Sequence, residues 1–214
     1  RHLGEPKNVV VDDDRHLPQL TAWAQAAQAD GTPTWVQLNH PGRQALRIAG
    51  THPVAPSPIR PKVPGAPTPK ELTDAEIHDI VRRFATAARV VKDAGFHGVQ
   101  IHGAHGYLLS QFLSPLSNTR TDEYGGSFEN RTRLVREVTT AIRAVWPDSR
   151  PLFIRISATD WVEGGWDVEQ SIELARQLAP LGVDFVDCSS GGNVATAKIL
   201  LGPGYQTPFA ERVR

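Results

Sequence analysis

Hydrophobic and polar positions alternate between two periodicities along the 214 residues of the chain. Four short apolar runs end in polar or small residues, a pattern typical of strands buried in a parallel sheet. They span residues 34–40, 98–102, 152–157 and 184–189. Each run follows a stretch in which apolar residues recur at helical spacing, so the pattern predicts four successive helix–strand units.

Local signals mark where the predicted helices begin and end. Thr73 and Glu76 stand at the two positions of a capping box, just before an apolar stripe. Pro18 suits the first turn of an earlier helix, which we expect to bury Leu20 and Trp23. Another helix is predicted over 128–145, before Pro147. Glycines precede three strands, where a helix C-terminus favours a positive φ; they are Gly31, Gly95 and Gly182.

The alternation of helices and strands predicts an α/β fold with parallel strands and right-handed crossovers. Two architectures satisfy this pattern, a closed (β/α)₈ TIM barrel and an open doubly wound sheet. A complete barrel has eight such units in about 250 residues, whereas four strands are predicted here. Residues 1–214 are therefore interpreted as a single domain that is either part of a barrel or a small open sheet.

Two long segments between these elements differ from simple connections. Residues 41–72 are rich in proline, and residues 103–127 are rich in glycine, serine and asparagine. Both follow the C-terminal end of a predicted strand, which is the side on which a barrel carries its functional loops. We expect both to be active-site loops. A linker is the alternative for 41–72, and the continuing helix–strand pattern on both sides disfavours it.

Composition and charge narrow the classes of partner. Lys plus Arg and Asp plus Glu each number 23, so the formal net charge is zero and nothing favours nucleic acid. No apolar run reaches the roughly 20 residues of a membrane span, and residues 1–5 do not resemble a signal peptide. The single Cys188 has no disulfide partner, which favours a cytoplasmic protein. Because the chain contains no Met, we expect that a native start is missing.

Polar side chains lie at or near the ends of the predicted strands. The second strand ends in His102, and His105 and Tyr107 follow it. Gln37 lies in the first strand and Arg155 in the third. If the strands are parallel, these groups point into one mouth at the same edge of the sheet.

The pair His102 and His105 has three interpretations. The two imidazoles are ordinary polar loop residues, or they bind a metal, or they donate two hydrogen bonds to a substrate oxygen. The metal interpretation needs a third ligand, and the ends of the third and fourth predicted strands offer Ser157 and Ser189, with no His or Asp at the tip. In the third interpretation Tyr107 serves as an acid that delivers one proton to a carbanion or enolate.

Arg155 and Gln37 each leave two interpretations open. Arg155 lies within an apolar strand, so it forms an ion pair with a carboxylate or supplies a fixed positive charge to an anionic ligand such as a reduced flavin. The amide of Gln37 is satisfied inside the core, or it faces the imide edge of a flavin ring. Cys188 is interpreted as a small buried strand residue and not as a nucleophile.

Long motifs carry a resemblance to a known family. They are IHGAHGYLLSQFLSP at 101–115, NTRTDEYGGS at 118–127, WVQLNHPGR at 35–43, VAPS at 54–57 and FIRIS at 153–157. Over nearly the whole chain the sequence resembles the Old Yellow Enzyme family, in its bacterial branch with two histidines. The long central motif is specific, whereas a single His-x-x-His pair would not be.

The resemblance implies an FMN-containing (β/α)₈ barrel that reduces activated alkenes. In that family NADPH or NADH donates hydride to the flavin, which passes it to the β-carbon of an alkene conjugated to a carbonyl or nitro group. By resemblance, His102 and His105 bind the activating oxygen and Tyr107 protonates the α-carbon. Gln37 and Arg155 would hold the pyrimidine side of the flavin, and no metal is implied.

The chain also departs from the family pattern. The first two strands of the family's barrel, and the last two with the phosphate site, have no counterpart in it. We therefore expect about four central units of a partial barrel, with unpaired edges and weak FMN binding. The alternatives are a dienoyl-thioester reductase or amine dehydrogenase of the same family, or a non-catalytic half-barrel. Family members are often dimers or larger, which leaves a homo-oligomer open.

Overall fold

The computed structural model of the chain describes residues 7–45, 52–62 and 65–214. Residues 46–51 and 63–64 of the predicted loop 41–72 lie outside the described residues. The helices are α1 (Leu17–Ala27), α2 (Asp74–Asp93), α3 (Leu108–Leu113), α4 (Phe128–Arg143), α5 (Val168–Leu178) and α6 (Thr207–Val213). The strands are β1 (Trp35–Leu38), β2 (Val54–Ala55), β3 (Lys70–Glu71), β4 (Gly98–Gly103), β5 (Leu152–Ser157) and β6 (Phe185–Ser189).

Strands β1, β4, β5 and β6 form one sheet in that order, and all three neighbouring pairs are parallel. The four strands predicted from the apolar runs are confirmed, as are the helices that precede them. Strands β2 and β3 pair in parallel as a separate ribbon within the segment 41–72. No periodicity predicted this ribbon, because each of its strands has only two residues.

The predicted helix signals are found in the structure. The Thr73 hydroxyl accepts a hydrogen bond from the Glu76 N–H, and the Glu76 carboxylate accepts one from the Thr73 N–H, which completes the capping box. The glycines before three strands have the positive φ that was expected, and they are Gly31 (77°), Gly95 (95°) and Gly182 (89°). The helix predicted over 128–145 ends slightly earlier, as α4 at Arg143.

The prediction that Trp23 is buried was wrong. Leu20 is buried at 5% exposure, but Trp23 is 50% exposed and touches Phe96 edge-to-face, with ring centroids 5.7 Å apart. Helix α1 packs against α2 beside β1, which is an edge strand of the described sheet. Among the described helices α1 packs mainly against α2, so it buries a narrow stripe that accommodates Leu20 but only the edge of the larger Trp23 ring.

The sheet has two chemically different faces. The face that packs against the helices is apolar, and its centre is fully buried, as Ile101, Ile154 and Ile156 show with at most 1% exposure. Because strand residues alternate between faces, the opposite face, called the inner face below, carries the intervening side chains. These are Trp35, Gln37, Gln100, His102, Phe153, Arg155, Ser157, Phe185, Asp187 and Ser189.

The inner face is layered from the amino to the carboxyl ends of the strands. The Trp35, Phe153 and Phe185 rings touch edge-to-face in a row, with centroids 5.2 and 5.7 Å apart. Toward the carboxyl ends of the strands this row is followed by polar side chains, and Ser157 and Ser189 lie at the ends of β5 and β6. Because the strands are parallel, the polar inner-face groups all lie between the aromatic row and the edge where functional loops begin. Among the described residues, no helix combines the length and the apolar composition needed to cross a bilayer.

Candidate functional site

The turn after β4 brings three aromatic side chains together. His105 and Gly106 have φ of 59° and 70°, so the backbone reverses between the end of β4 and the start of α3. The His102 ring lies edge-to-face against His105, with centroids 5.3 Å apart, and against Tyr107, with centroids 5.0 Å apart. Three of the side chains proposed from the sequence are thus direct neighbours.

Side chains from three other loops and strand ends hold His105 in place. Its backbone N–H donates to the Ser157 hydroxyl at 2.8 Å, and its carbonyl accepts from the Gln44 amide at 2.8 Å. Its ring Nε2 lies 2.6 Å from the Ser189 hydroxyl. Sequence reasoning did not identify Gln44, because the contact joins residues 61 positions apart and no motif spacing indicates it. The left-handed backbone of His105 is therefore fixed by tertiary contacts.

Burial keeps the His102 ring uncharged. The ring is 6% exposed, and burial lowers its pKa to about 4, with smaller contributions from His105 and the positive Arg155. Its Nδ1 accepts a hydrogen bond from the Ala104 N–H at 3.4 Å. A neutral imidazole that accepts at Nδ1 carries its proton on Nε2, so His102 has one N–H available as a donor at neutral pH.

The lowered pKa of His102 predicts a pH-dependent stability. An unfolded histidine takes up a proton near pH 6.5, whereas folded His102 takes it up only near pH 4. The unfolded state therefore binds more protons between these values, and acidification across this window destabilises the fold by about 3 kcal/mol. Urea unfolding from pH 7 to pH 4 measures this loss.

The variant His102→Asn is expected to remove the part of the acid-dependent loss that His102 causes, about 3 kcal/mol. His16→Asn is the matched control, because His16 is exposed and lies before α1. An unchanged dependence of the free energy of unfolding on pH in His102→Asn would show that another group causes the loss.

Gln37 and Arg155 lie on the same inner face but do not touch each other. Arg155 donates from Nη1 to the Asp187 carboxylate at 2.9 Å, so the ion pair foreseen as one interpretation is present. The Gln100 amide donates to Asp187 at 3.3 Å and accepts from the Gln37 amide at 2.6 Å. Gln100 and Asp187 therefore link Gln37 to Arg155. The sequence had suggested Gln37 and Arg155 as site residues, but not Gln100 or Asp187.

Arg155 keeps donor capacity that its ion pair does not use. Its side chain is 34% exposed, and its Nε is buried without a hydrogen-bond partner among the described residues. Gln37 is exposed on the same face. An exposed amide, a guanidinium with a free N–H and neutral imidazole donors suit a planar, hydrogen-bonding and negatively polarised ring such as that of FMN.

The loops around the site pack on each other through buried polar side chains. Arg43 donates to the carbonyl and side-chain oxygens of Asn193, at 2.7 and 2.8 Å. The Gln111 amide accepts from the Arg43 N–H at 3.2 Å and donates to the Gly106 carbonyl at 2.6 Å. The segments after β1, β4 and β6 are thereby joined at the mouth of the site.

Gly106 is required by this packing. A Cβ at Gly106 would lie 2.5 Å from the Gly192 carbonyl oxygen and 2.7 Å from the Asn193 Cα, and its φ is 70°. We expect Gly106→Ala to lower the free energy of unfolding by about 3 kcal/mol, because strain and a backbone clash add. Gly126→Ala is the control, since Gly126 has a φ of 79° and nothing within 4 Å of the added Cβ. Equal losses in urea unfolding would contradict the clash.

Cys188 lies on strand β6 beside Asp187. Burial, with a smaller effect of Asp187, raises the pKa of its thiol to about 11, so the thiol is protonated at neutral pH. Register with Ile156 places it on the helix-facing side of the sheet. The described residues contain no group of three or more His, Cys, Asp or Glu side chains that could hold a metal ion.

Comparisons with known proteins identify relatives of this chain. Residues 3–205 match the model of the NADH:flavin oxidoreductase / NADH oxidase family. An NADPH dehydrogenase from Geobacillus sp. (strain WCH70) is 46% identical over 97% of the chain. A 2-naphthoyl-CoA reductase in complex with 2-naphthoyl-CoA superposes with a TM-score of 0.88 at 30% identity, over 96% of this chain and 34% of that one. An Old Yellow Enzyme homologue from Zymomonas mobilis superposes with a TM-score of 0.81 at 30% identity, over 96% and 62%.

The chain spans 59% of the length of the Geobacillus relative. The four parallel strands are accordingly a central part of a (β/α)₈ barrel, which excludes the open doubly wound sheet. The cofactors of the family are FMN and a nicotinamide electron donor, NADPH or NADH. On the family match and the curated relatives, the chain belongs to the NADH:flavin oxidoreductase / NADH oxidase family, that of the Old Yellow Enzymes.

Proposed function

We propose that this chain contributes the catalytic side chains of an FMN-dependent ene-reductase. Its substrates are alkenes conjugated to a carbonyl or nitro group, and NADPH or NADH is the electron donor. The observation that carries the proposal is the contact of neutral His102 with His105 and Tyr107 on the inner face, beside the positive Arg155. In this proposal the segments 41–72 and 103–127 are the loops that surround the substrate.

Bound FMN supplies the hydride in this reaction. Gln37 and Arg155 are proposed to hold its pyrimidine side, the amide by donating and accepting and the partly exposed guanidinium by its charge. Arg155 is held by Asp187, so the guanidinium is oriented before a ligand arrives. A preoriented positive group needs little rearrangement as negative charge develops beside it.

His102 and His105 are proposed to bind the substrate oxygen. His102 donates from Nε2, since its Nδ1 is occupied by the Ala104 N–H. We assign the Ser189 proton to His105 Nε2, 2.6 Å away, an arrangement compatible with the hydrogen bond that Ser189 accepts from the Gln206 amide at 3.2 Å. His105 then carries its proton on Nδ1 as a second donor. Two neutral donors strengthen their hydrogen bonds as the oxygen gains negative charge, which lowers the barrier to hydride addition at the β-carbon.

Tyr107 is proposed to complete the reaction as the acid. Hydride adds to the β-carbon, the π electrons move toward the oxygen, and the Tyr107 phenol delivers a proton to the α-carbon. The phenolate then recovers its proton from water, because Tyr107 is only half-buried. The substrate thus gains one hydride and one proton, and the C=C bond becomes a single bond.

Reduction of an unsaturated thioester is a second candidate. The observation that favours it is the close superposition on the complex of 2-naphthoyl-CoA reductase with 2-naphthoyl-CoA, which is an aromatic acyl thioester. A thioester carbonyl would accept the same two hydrogen bonds from His102 and His105 as a ketone. The difference would therefore lie in the loops that meet the rest of the substrate.

Visible absorption of the purified protein with added FMN tests the proposal. We expect a bound-flavin band that bleaches with NADPH or NADH and recovers when an enone is added. An unsaturated acyl-CoA, added to a second sample, identifies the thioester alternative by faster recovery than with the enone. Flavin that binds and bleaches but recovers with neither substrate would refute ene-reduction.

A further inference from the structure

Asp187 places a negative charge on the inner face of the sheet, next to the positive charge of Arg155. The two residues occupy matching positions on neighbouring strands β6 and β5, and their side chains meet at 2.9 Å. The side chains are 30% and 34% exposed, so water reaches both. The mechanism proposed above uses Asp187 only to hold Arg155 in place and gives no role to its negative charge.

The contacts of Asp187 orient the guanidinium without using all of its donors. The same carboxylate oxygen, Oδ2, accepts from Arg155 Nη1 and from the Gln100 amide, which is itself bonded to Gln37. Arg155 Nε has no partner among the described residues. Asp187 therefore anchors one end of the guanidinium, and the exposed remainder of the Arg155 side chain, which is 34% exposed, can face a ligand.

The charge of Asp187 opposes that of Arg155 at the mouth of the site. Both charges act on the ring of His105: Arg155 lowers its pKa, and Asp187 raises it. The charged and titratable groups around this ring are His102, Arg155 and Asp187. The positive field that a ligand meets is therefore that of Arg155 partly cancelled by Asp187.

We propose that Asp187 is a positioning residue that orients Arg155 and attenuates its charge, and that it thereby sets the relative affinity of the site for oxidised and reduced FMN. The inference rests on the proposed function in taking FMN as the ligand. Reduction of FMN by two electrons and one proton adds one negative charge, so the net charge beside the ring decides which form is bound more tightly.

A purely structural ion pair is the competing explanation. Pairs exposed by about a third typically contribute about 1 kcal/mol or less to stability, so loss of the pair should leave the fold intact. A structural pair would also leave the midpoint potential of the bound flavin unchanged. The potential therefore separates the two explanations.

The test replaces Asp187 by asparagine in the FMN-loaded protein. Asp187→Asn retains an oxygen that accepts from Gln100 and removes the negative charge. We expect reduced FMN to gain about tenfold in affinity relative to oxidised FMN, a rise in midpoint potential of about 30 mV for a two-electron couple. Asp187→Glu should return the potential toward the wild-type value. Asp148→Asn is the control, because it changes net charge equally at a side chain that is 98% exposed.

A titration without flavin tests the electrostatic part independently. In the NMR titration of His105 in the ligand-free chain, Asp187→Asn should lower the pKa of the ring below the wild-type value, because Arg155 is then unopposed. A bound flavin whose potential is the same in wild type and Asp187→Asn would overturn the inference and leave the proposed function standing. Failure of the wild-type protein to bind FMN would overturn both the proposed function and the flavin role of Asp187. An unchanged His105 titration would then also overturn its electrostatic role.

Discussion

Tyr107→Phe is expected to slow the reduction of an enone by the FMN-loaded protein by roughly 100- to 10,000-fold, the usual contribution of a positioned general acid. The phenylalanine ring preserves the edge-to-face contact with His102, whose centroid lies 5.0 Å from that of Tyr107. Only the hydroxyl that delivers the proton is lost. Flavin reduction by NADPH does not involve that proton, so it should change by less than about threefold.

Stopped-flow absorbance measures the two half-reactions separately. Tyr124→Phe is the matched control, because the Tyr124 hydroxyl lies against helices α2 and α4, near His78 and donating to Glu137 at 3.0 Å. It should leave both half-reactions at wild-type rates. If Tyr107→Phe slowed flavin reduction and enone reduction equally, the hydroxyl would act in binding or folding and the role of proton donor would be refuted.

Asp160→Ala is expected to give the largest loss of stability. Asp160 is 1% exposed, and one of its oxygens, Oδ2, accepts from the Ser114 hydroxyl at 2.5 Å, the Trp166 N–H at 3.0 Å and the Asn193 amide at 3.4 Å. Its charge also stabilises the buried guanidinium of Arg43. Alanine leaves three donors unpaired and a buried cation uncompensated, so the free energy of unfolding should fall by about 3–5 kcal/mol.

Equilibrium unfolding in urea measures this loss against two further variants. Asp160→Asn retains an oxygen for the three donors and should lose less than half as much as Asp160→Ala. Asp148→Ala removes an exposed carboxylate and should stay within about 0.5 kcal/mol of wild type. Similar losses in Asp160→Ala and Asp148→Ala would mean that the buried network around Asp160 does not stabilise the loops.

Local patterns were sufficient to predict the main sheet and its helices. The strand at 152–157 was predicted with its observed bounds, because an apolar run between a proline and polar residues is a short-range signal. The capping box of α2 was predicted for the same reason, since both partners lie within one turn. The prediction that Trp23 is buried was wrong because the width of the buried stripe of a helix depends on how many elements pack against it. The residues of the helix itself do not encode that number.

The candidate site was predicted in part. His102, His105 and Tyr107 lie within six positions, so a strand end and a following turn were enough to expect them together. The contacts that position them lie far away in sequence, as Gln44 and Ser189 show for His105. No spacing rule relates such residues, because loops of different length bring them together.

The sequence by itself determined the helix–strand alternation, the family resemblance and the polar residues at the strand ends, because each depends on neighbours within a few positions. Only the tertiary structure decided that Arg155 pairs with Asp187, that Gln100 joins this pair to Gln37, and that burial keeps His102 neutral. The physical reason is that hydrogen-bond partners, burial and electrostatic fields depend on distance in space, and in a parallel sheet the closest groups lie on strands separated by whole helices.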